Sequence, residues 1–257
     1  MAVAFLDHDG PIAFAHRGGA GDWPENTMPA FEGAVRLGYR YVETDVHVTA
    51  DGTLVAFHDD RLDRVTDRIG VIEELPDREV FAAKVDGAEP IPLFEDLLGA
   101  FPDLRVNVEP KSDAAVEALA ASVRRCGAID RVLIGSFVDR RVARSRELLG
   151  DRLATSLGPR GVARLVAAGR RLGRPRFAEV AAQVPVSAGK GVTLVTERFV
   201  ATAHRLGLQV HVWTIDDPVE MARLLDLGVD GIMTDRPEVL RDVLALRGQW
   251  SPARRDR

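Results

Sequence analysis

Glu43 and Asp45 stand two residues apart in an apolar run, Tyr41-Val42-Glu43-Thr44-Asp45-Val46, and Val106-Asn107-Val108-Glu109-Pro110-Lys111 repeats the spacing with Glu109 and Lys111. If each run is a strand, side-chain alternation puts Glu43 beside Asp45 on one face, and Glu109 beside Lys111. Adjacent carboxylates in an apolar strand repel each other and carry a desolvation cost. A divalent cation removes that cost, and an oxygen-only donor set suits Mg²⁺ or Ca²⁺. Glu109 can complete a three-carboxylate cage, and Lys111 can face a phosphate oxygen. The plainer readings are a solvated strand edge for Glu43 and Asp45 and a simple ion pair for Glu109 and Lys111. Two such runs on neighbouring strands favour a site.

Two histidines point to the same chemistry. His16-Arg17-Gly18-Gly19 follows an apolar run at 12–15. Histidine exchanges protons near neutral pH, arginine grips a phosphate through two hydrogen bonds, and glycines let backbone approach a ligand. A surface His–Arg pair before a turn is the alternative. Asp51-Gly52 between two apolar runs predicts a hairpin, so 54–58 should run antiparallel to the strand at 41–46. A turn centred on Asp51-Gly52 places His58, followed by Asp59, roughly opposite Asp45. A lone histidine is usually structural, but two imidazoles flanking a cation and a phosphate fit general acid–base displacement on phosphorus.

These residues need a scaffold that gathers strand ends. Short β-branched segments at 12–16, 41–46, 106–109, 132–137, 153–157, 180–184, 210–214 and 231–234 alternate with helical patterns. The helical patterns lie at 27–37, 93–100, 114–126, 140–149, 162–172, 197–206 and 218–227. Repeated β-then-α with short connections implies a parallel sheet. About eight such strands in 257 residues favour an α/β fold closed as a (β/α)8 TIM barrel, with reacting groups at the C-terminal strand ends. No Gly-x-Gly-x-x-Gly follows the first strand, which weakens a dinucleotide-binding reading. The chain reads as one domain, 1–257, with a polar insertion at about 60–90 over the barrel mouth and a frayed tail at 247–257.

Composition sets outer bounds. A net charge of −5 argues against nucleic acid as the main partner, because phosphate-backbone binding needs clustered Lys and Arg. Cys126 is the single cysteine, so an intrachain disulfide is excluded, and it reads as a small buried residue rather than a nucleophile. The start lacks a basic and then apolar leader pattern, and no run approaches the roughly 18 apolar residues of a membrane span. The expectation is a cytoplasmic protein without a stable membrane anchor. Helix faces could support an oligomer, though nothing singles one out.

The ordered set of motifs resembles the glycerophosphodiester phosphodiesterases. It runs through His16-Arg17-Gly18, Pro24-Glu25-Asn26-Thr27, Glu43-x-Asp45, His58-Asp59, Glu109-x-Lys111, Ser136-Phe137, Val212-Trp213-Thr214 and Gly231-Ile232-Met233-Thr234-Asp235-Arg236-Pro237. The resemblance implies that Glu43, Asp45 and Glu109 bind one divalent cation and that His16 and His58 are the acid–base pair. Arg17 and Lys111 would hold the phosphate of a small glycerophosphodiester, with an alcohol and glycerol 3-phosphate as products. Phe137 and Trp213 are candidate substrate contacts, with a core role as the alternative. Glu25 reads equally as helix start or site residue, and His47 lies past the expected rim. His204 and His211 read as helix-surface and barrel residues. Asp235-Arg236-Pro237 is read as stabilising the return of the last strand to its helix. Asp216 stands where members often carry Asn, and it is read as a helix start. A lipid-directed relative, a lysophospholipid phosphodiesterase of the phospholipase D type, would need an apolar rim, for which Val80, Phe81 and Val85 are candidates. A non-catalytic phosphate-binding barrel would have lost at least one of His16, His58, Glu43, Asp45 or Glu109, and all are present.

Overall fold

The computed structural model describes residues 3–189 and 191–252. The strands are β1 (Ile12–Ala15), β2 (Tyr41–Val48), β3 (Leu54–Ala56), β4 (Lys84–Val85), β5 (Glu89–Pro90), β6 (Arg105–Pro110), β7 (Val132–Ile134), β8 (Ala154–Thr155), β9 (Ala181–Pro185), β10 (Gln209–Trp213) and β11 (Gly231–Thr234). The helices are α1 (Met28–Leu37), α2 (Asp77–Val80), α3 (Phe94–Ala100), α4 (Asp113–Arg125), α5 (Asp139–Leu149), α6 (Pro159–Gly169), α7 (Glu197–Arg205), α8 (Pro218–Asp226) and α9 (Pro237–Leu246). Eight parallel strands follow the order β8-β7-β6-β2-β1-β11-β10-β9. The ring meets itself at a short seam, where Ser156 bridges Ala181 and the Leu157 N–H donates to the Ala181 carbonyl at 2.8 Å. The expected TIM barrel is the observed fold.

Alternation along the strands builds two cores. Ile12, Phe14, Tyr41, Leu133, Ala181 and Met233 fill the barrel interior together with Phe5 from the chain start. Ala13, Val42, Val46, Val106, Val132 and Ile134 face the surrounding helices. Gly231 makes room inside: a Cβ there would lie 2.9 Å from His211 and 3.1 Å from the Phe14 ring. Helix starts are set by short polar side chains. Thr27, Ser112, Thr196 and Asp217 accept backbone N–H bonds in the first turns of α1, α4, α7 and α8, each worth ~1 kcal/mol.

Three expectations need correction. The hairpin between β2 and β3 turns through three residues, Ala50 to Gly52, with Thr49 N–H bonded to the Thr53 carbonyl at 3.0 Å and Gly52 at φ +84. The register pairs Val46 with Ala56, and Phe57 N–H donates to the Asp45 carbonyl at 2.9 Å. Phe57, not His58, therefore stands opposite Asp45. The 60–90 insertion is not merely polar cover, because Leu62, Ile72, Val80, Ala83 and Val85 form a small core of their own with Phe57. The tail is ordered as far as Pro252: Trp250 packs edge-on against Tyr39 at 5.2 Å, because that aromatic surface has a partner. Residues 253–257 of the expected tail lie outside the described residues. Smaller differences are a start of α6 at Pro159, whose fixed φ suits a first helical turn, and strand ends that stop short at Ile134 and Thr155.

Candidate active site

Parallel pairing of β2 with β6 sets Asp45 level with Glu109 and Glu43 level with Asn107. The Lys111 ammonium lies 2.7 Å from Asp45 Oδ1 and 2.9 Å from Glu109 Oε2. Burial lowers the affinity of Lys111 for its proton, but Asp45 and Glu109 outweigh it and hold the amine above its ordinary value. Glu109 Oε1 accepts the Phe137 N–H at 3.2 Å. Glu43 is buried and pushed up to about 7, first by burial and then by Asp45, against the pull of His16, Lys111 and the Arg17 N–H. The structure thus brings Asp45, Glu109 and Lys111 together at one strand-end layer, with Glu43 one step deeper on the same strand as Asp45.

Among the described residues, no three His, Cys, Asp or Glu side chains already converge as a ligand set, and Lys111 spans two of the carboxylates. The donor chemistry nevertheless fits a hard divalent cation. Asp45 Oδ2 is buried without a hydrogen-bond partner, and Arg17 Nε, 3.7 Å from it, is also unpartnered. An orphaned carboxylate oxygen beside a second carboxylate that resists ionisation is the arrangement a cation relieves.

His16 begins a short turn after β1, and its Nδ1 lies 2.6 Å from Asp235 Oδ1 while Nε2 lies 3.7 Å from Glu43 Oε2. Burial lowers its pKa, yet Glu43 and Asp235 outweigh burial and hold the imidazole above its ordinary value. Asp235 is therefore a site residue, beyond its expected role in the strand-to-helix return. Its own N–H donates to Asp216 Oδ1 at 2.8 Å, and Thr234 Oγ1 donates to the same oxygen at 2.8 Å. Asp216 does not start α8; Asp217 does, accepting the Glu220 N–H at 2.9 Å. The signal for Asp235 was available in the topology. In a closed barrel the last strand pairs with the first, Ala15 faces Thr234, and the following residues, His16 and Asp235, meet.

A second imidazole–carboxylate pair mirrors the first. His58 Nδ1 lies 2.5 Å from Asp59 Oδ1, and Asp59 Oδ2 accepts from Arg64 Nε at 2.5 Å. Arg64 also donates to Glu25 at 2.6 and 2.9 Å, and Glu25 Oε1 accepts from Arg17 at 3.1 Å. Arg64, from the insertion, thus joins the His58 arm to the Arg17 arm; Glu25 holds both arginines rather than starting α1. Arg17 takes a left-handed backbone (φ 51) that aims its N–H at Glu43 Oε2, 3.2 Å away. His47 is buried behind this layer and donates Nε2–H to the His58 carbonyl at 3.1 Å, fixing the turn that carries His58.

Hydrogen bonds from Arg64 hold Asp59 down at about 2, with burial opposing and His58 assisting. A depressed carboxylate stabilises the fold above its unfolded value of 3.8, and that contribution fades as pH falls toward 2. Arg64→Gln is expected to lower Tm near neutral pH by about 2–4 °C, the equivalent of ~1 kcal/mol for a solvent-screened pair. The gap from wild type should begin to narrow below pH 3.8 and close as pH falls through about 2. The same variant should lose about 10-fold in turnover, as His58 is then less firmly held.

Phe137 and Trp213 meet edge-to-face at 5.6 Å, with Phe137 62% exposed, so the pair lines the rim rather than the core. A cleft of about 510 Å³ beside Lys111 is lined by His58, Asp59, Asp60, Arg61, Asp63 and Arg64. Its wall is charged. Val80 and Val85, candidates for an apolar rim, are buried in the insertion's core, leaving Phe81 partly exposed. His211 is buried inside the barrel, with Nδ1 3.2 Å from Gln183 and burial pushing its pKa down to about 3. His204 pairs with Asp230 on the helix surface, and Cys126 is half-buried, its thiol pushed up by burial.

Known proteins resemble this chain in sequence and fold. Residues 16–239 match the model of the glycerophosphoryl diester phosphodiesterase family. A probable glycerophosphodiester phosphodiesterase 2 of Mycobacterium tuberculosis is 44% identical over 98% of this chain and 97% of its own length. Among solved structures, a putative glycerophosphoryl diester phosphodiesterase from Silicibacter pomeroyi superposes with a TM-score of 0.81 at 25% identity, over 97% of this chain and all of that one. An Oleispira antarctica phosphodiesterase, solved with the product sn-glycerol-3-phosphate, shares the fold with a TM-score of 0.77 at 23% identity, over 92% and 97% of the two chains. With two histidines held by carboxylates around an acidic and basic strand-end layer, the chain belongs to the glycerophosphoryl diester phosphodiesterase family.

Proposed function

We propose that this chain hydrolyses small glycerophosphodiesters to an alcohol and glycerol 3-phosphate, with His16 and His58 as the acid–base pair and Glu43, Asp45 and Glu109 as ligands to one divalent cation, Mg²⁺ or Ca²⁺. The observation that carries the reading is the matched pair of imidazoles. Each has Nδ1 against a carboxylate, Asp235 for His16 and Asp59 for His58. With the Nδ1 proton given to a carboxylate, the neutral ring presents Nε2 as its basic nitrogen. One Nε2 accepts the proton of the attacking hydroxyl, and the other imidazole donates a proton to the departing alcohol oxygen. Where that hydroxyl is water's, glycerol 3-phosphate forms directly, and where it is the glycerol's own, a water then opens the cyclic phosphate. Arg17 and Lys111 bind the phosphoryl oxygens, the first as a fork and the second as a point charge. When bound, the cation neutralises phosphate charge and acts as a Lewis acid on a phosphoryl oxygen. Phe137 and Trp213 offer apolar contact to the carbon skeleton at the rim.

The charged cleft wall and the burial of Val80 and Val85 favour a water-soluble diester over a lysophospholipid. Glycerol 3-phosphate release from glycerophosphocholine is expected to stop with chelator and return with Mg²⁺ or Ca²⁺. Choline release from lysophosphatidylcholine without any from glycerophosphocholine would move the substrate to the lipid class. Absence of turnover on both would leave a binding protein.

A further inference from the structure

Between Asp151 and Glu179 the chain carries seven arginines and no acidic residue, in a protein whose net charge is −5. Arg152 pairs with Asp130, but the guanidinium groups of Arg160, Arg164, Arg170, Arg171, Arg174 and Arg176 form no ion pair among the described residues, and the Asp139 carboxylate near Arg160 is met by its backbone N–H at 3.2 Å. The contrast with the α4–α5 face is direct: there Arg140 and Arg141 pair with Asp113, and Arg144 with Glu117. The unpaired arginines are held together in space. Arg160 and Arg164 lie one turn apart on α6, and Arg164 donates to the Arg176 carbonyl at 3.4 Å. Exposed Arg198 of α7 joins them, lying 3.6 Å from where a Cβ on Gly169 would stand. At the tip of this face, between Arg171 and Arg174, Leu172 is 69% exposed.

We infer that this arginine face is a docking surface for an anionic lipid bilayer. A basic cluster is drawn to the negative charge of such a surface, and an exposed leucine among the arginines supplies the apolar side chain that enters the headgroup layer. A single-stranded nucleic acid would call for exposed aromatic platforms. The aromatic ring in this segment, Phe177, is half-buried beneath Arg164, whose guanidinium lies 5.2 Å from it. Connectivity fixes the orientation. α6 leaves the C-terminal end of β8, on the mouth side, and returns to the N-terminal end of β9, so 170–178 lies at the end of the barrel away from His16 and His58. A docked molecule keeps its mouth open to water, and docking leaves hydrolysis of a soluble diester unchanged.

The test is co-sedimentation of the full chain with vesicles of phosphatidylcholine alone, or of phosphatidylcholine containing one-third phosphatidylglycerol. Binding is expected on the anionic vesicles and should weaken as salt is raised. Each arginine near the surface is worth about a 5-fold change in partitioning, so the combined Arg170→Ser, Arg171→Ser, Arg174→Ser variant should partition roughly 100-fold less. Leu172→Ser should lose several-fold with little change in salt dependence. Both variants should keep wild-type melting and wild-type glycerol 3-phosphate release. Equal binding to both vesicle types, undiminished binding by the triple variant, or retention by duplex DNA without retention by vesicles overturns the inference.

Discussion

Replacing His16 with glutamine is expected to lower kcat by about 10²–10⁴-fold, with KM moving only a few-fold. Glutamine keeps a hydrogen-bonding side chain of similar reach but cannot exchange a proton near neutral pH. The site around it is otherwise left in place, because Arg17 and Lys111 hold their own contacts to Glu25, Asp45 and Glu109. Asp235→Asn should give a smaller loss, about 10–100-fold, since it removes the carboxylate that fixes the ring while leaving the ring present. Asp235 is a positioning residue that works through His16, so the double variant should be no slower than His16→Gln alone. Steady-state kinetics on glycerophosphocholine decide the matter. A double variant that falls by the product of both losses would show that Asp235 acts on the reaction independently.

What the sequence made legible was whatever depends on period and local chemistry. The alternation of charged and apolar residues in 41–46 and 106–111 placed Glu43, Asp45, Glu109 and Lys111 on shared faces, and in the structure the Lys111 ammonium touches both Asp45 and Glu109. Features that depend on closure or on one residue of register were harder. His58 reaches the site, but through a three-residue turn that places Phe57 opposite Asp45, and a count from Asp51-Gly52 cannot tell two turn residues from three. Asp235 becomes visible only once β11 is known to pair with β1. Arg64 lies in a segment without clear periodicity, and its link to Asp59 and Glu25 arises because Leu62 and Ile72 anchor the insertion in a core of its own. Irregular segments encode packing in isolated apolar positions, so the helix and strand periods reveal little there.

Replacing Glu43 with glutamine is expected to remove cation-dependent turnover, by about 10³-fold or more, while leaving the cation-free protein at least as stable as wild type. The two halves of this expectation share one cause. Glu43 is buried beside Asp45, and the fold resists its ionisation strongly enough to push it up to about 7. Its compensation is modest: one N–H from Arg17 at 3.2 Å and His16 at 3.7 Å. A buried charge with so little support is a structural liability, and a neutral amide of the same shape relieves the repulsion with Asp45. The carboxylate makes sense only with a partner of opposite charge, and the unpartnered Asp45 Oδ2 beside it shows where more positive charge is called for. Binding confined to the native state stabilises by ~2.7 kcal/mol at a hundredfold excess over Kd, or roughly 5–10 °C in Tm. Mg²⁺ or Ca²⁺ should therefore raise the melting temperature of wild type by about that amount and of Glu43→Gln by far less. The melt does not depend on turnover, so it separates the ligand assignment from the acid–base assignment. A full thermal shift retained in Glu43→Gln would remove Glu43 from the ligand set even if activity were lost, and would leave its carboxylate acting through His16 instead.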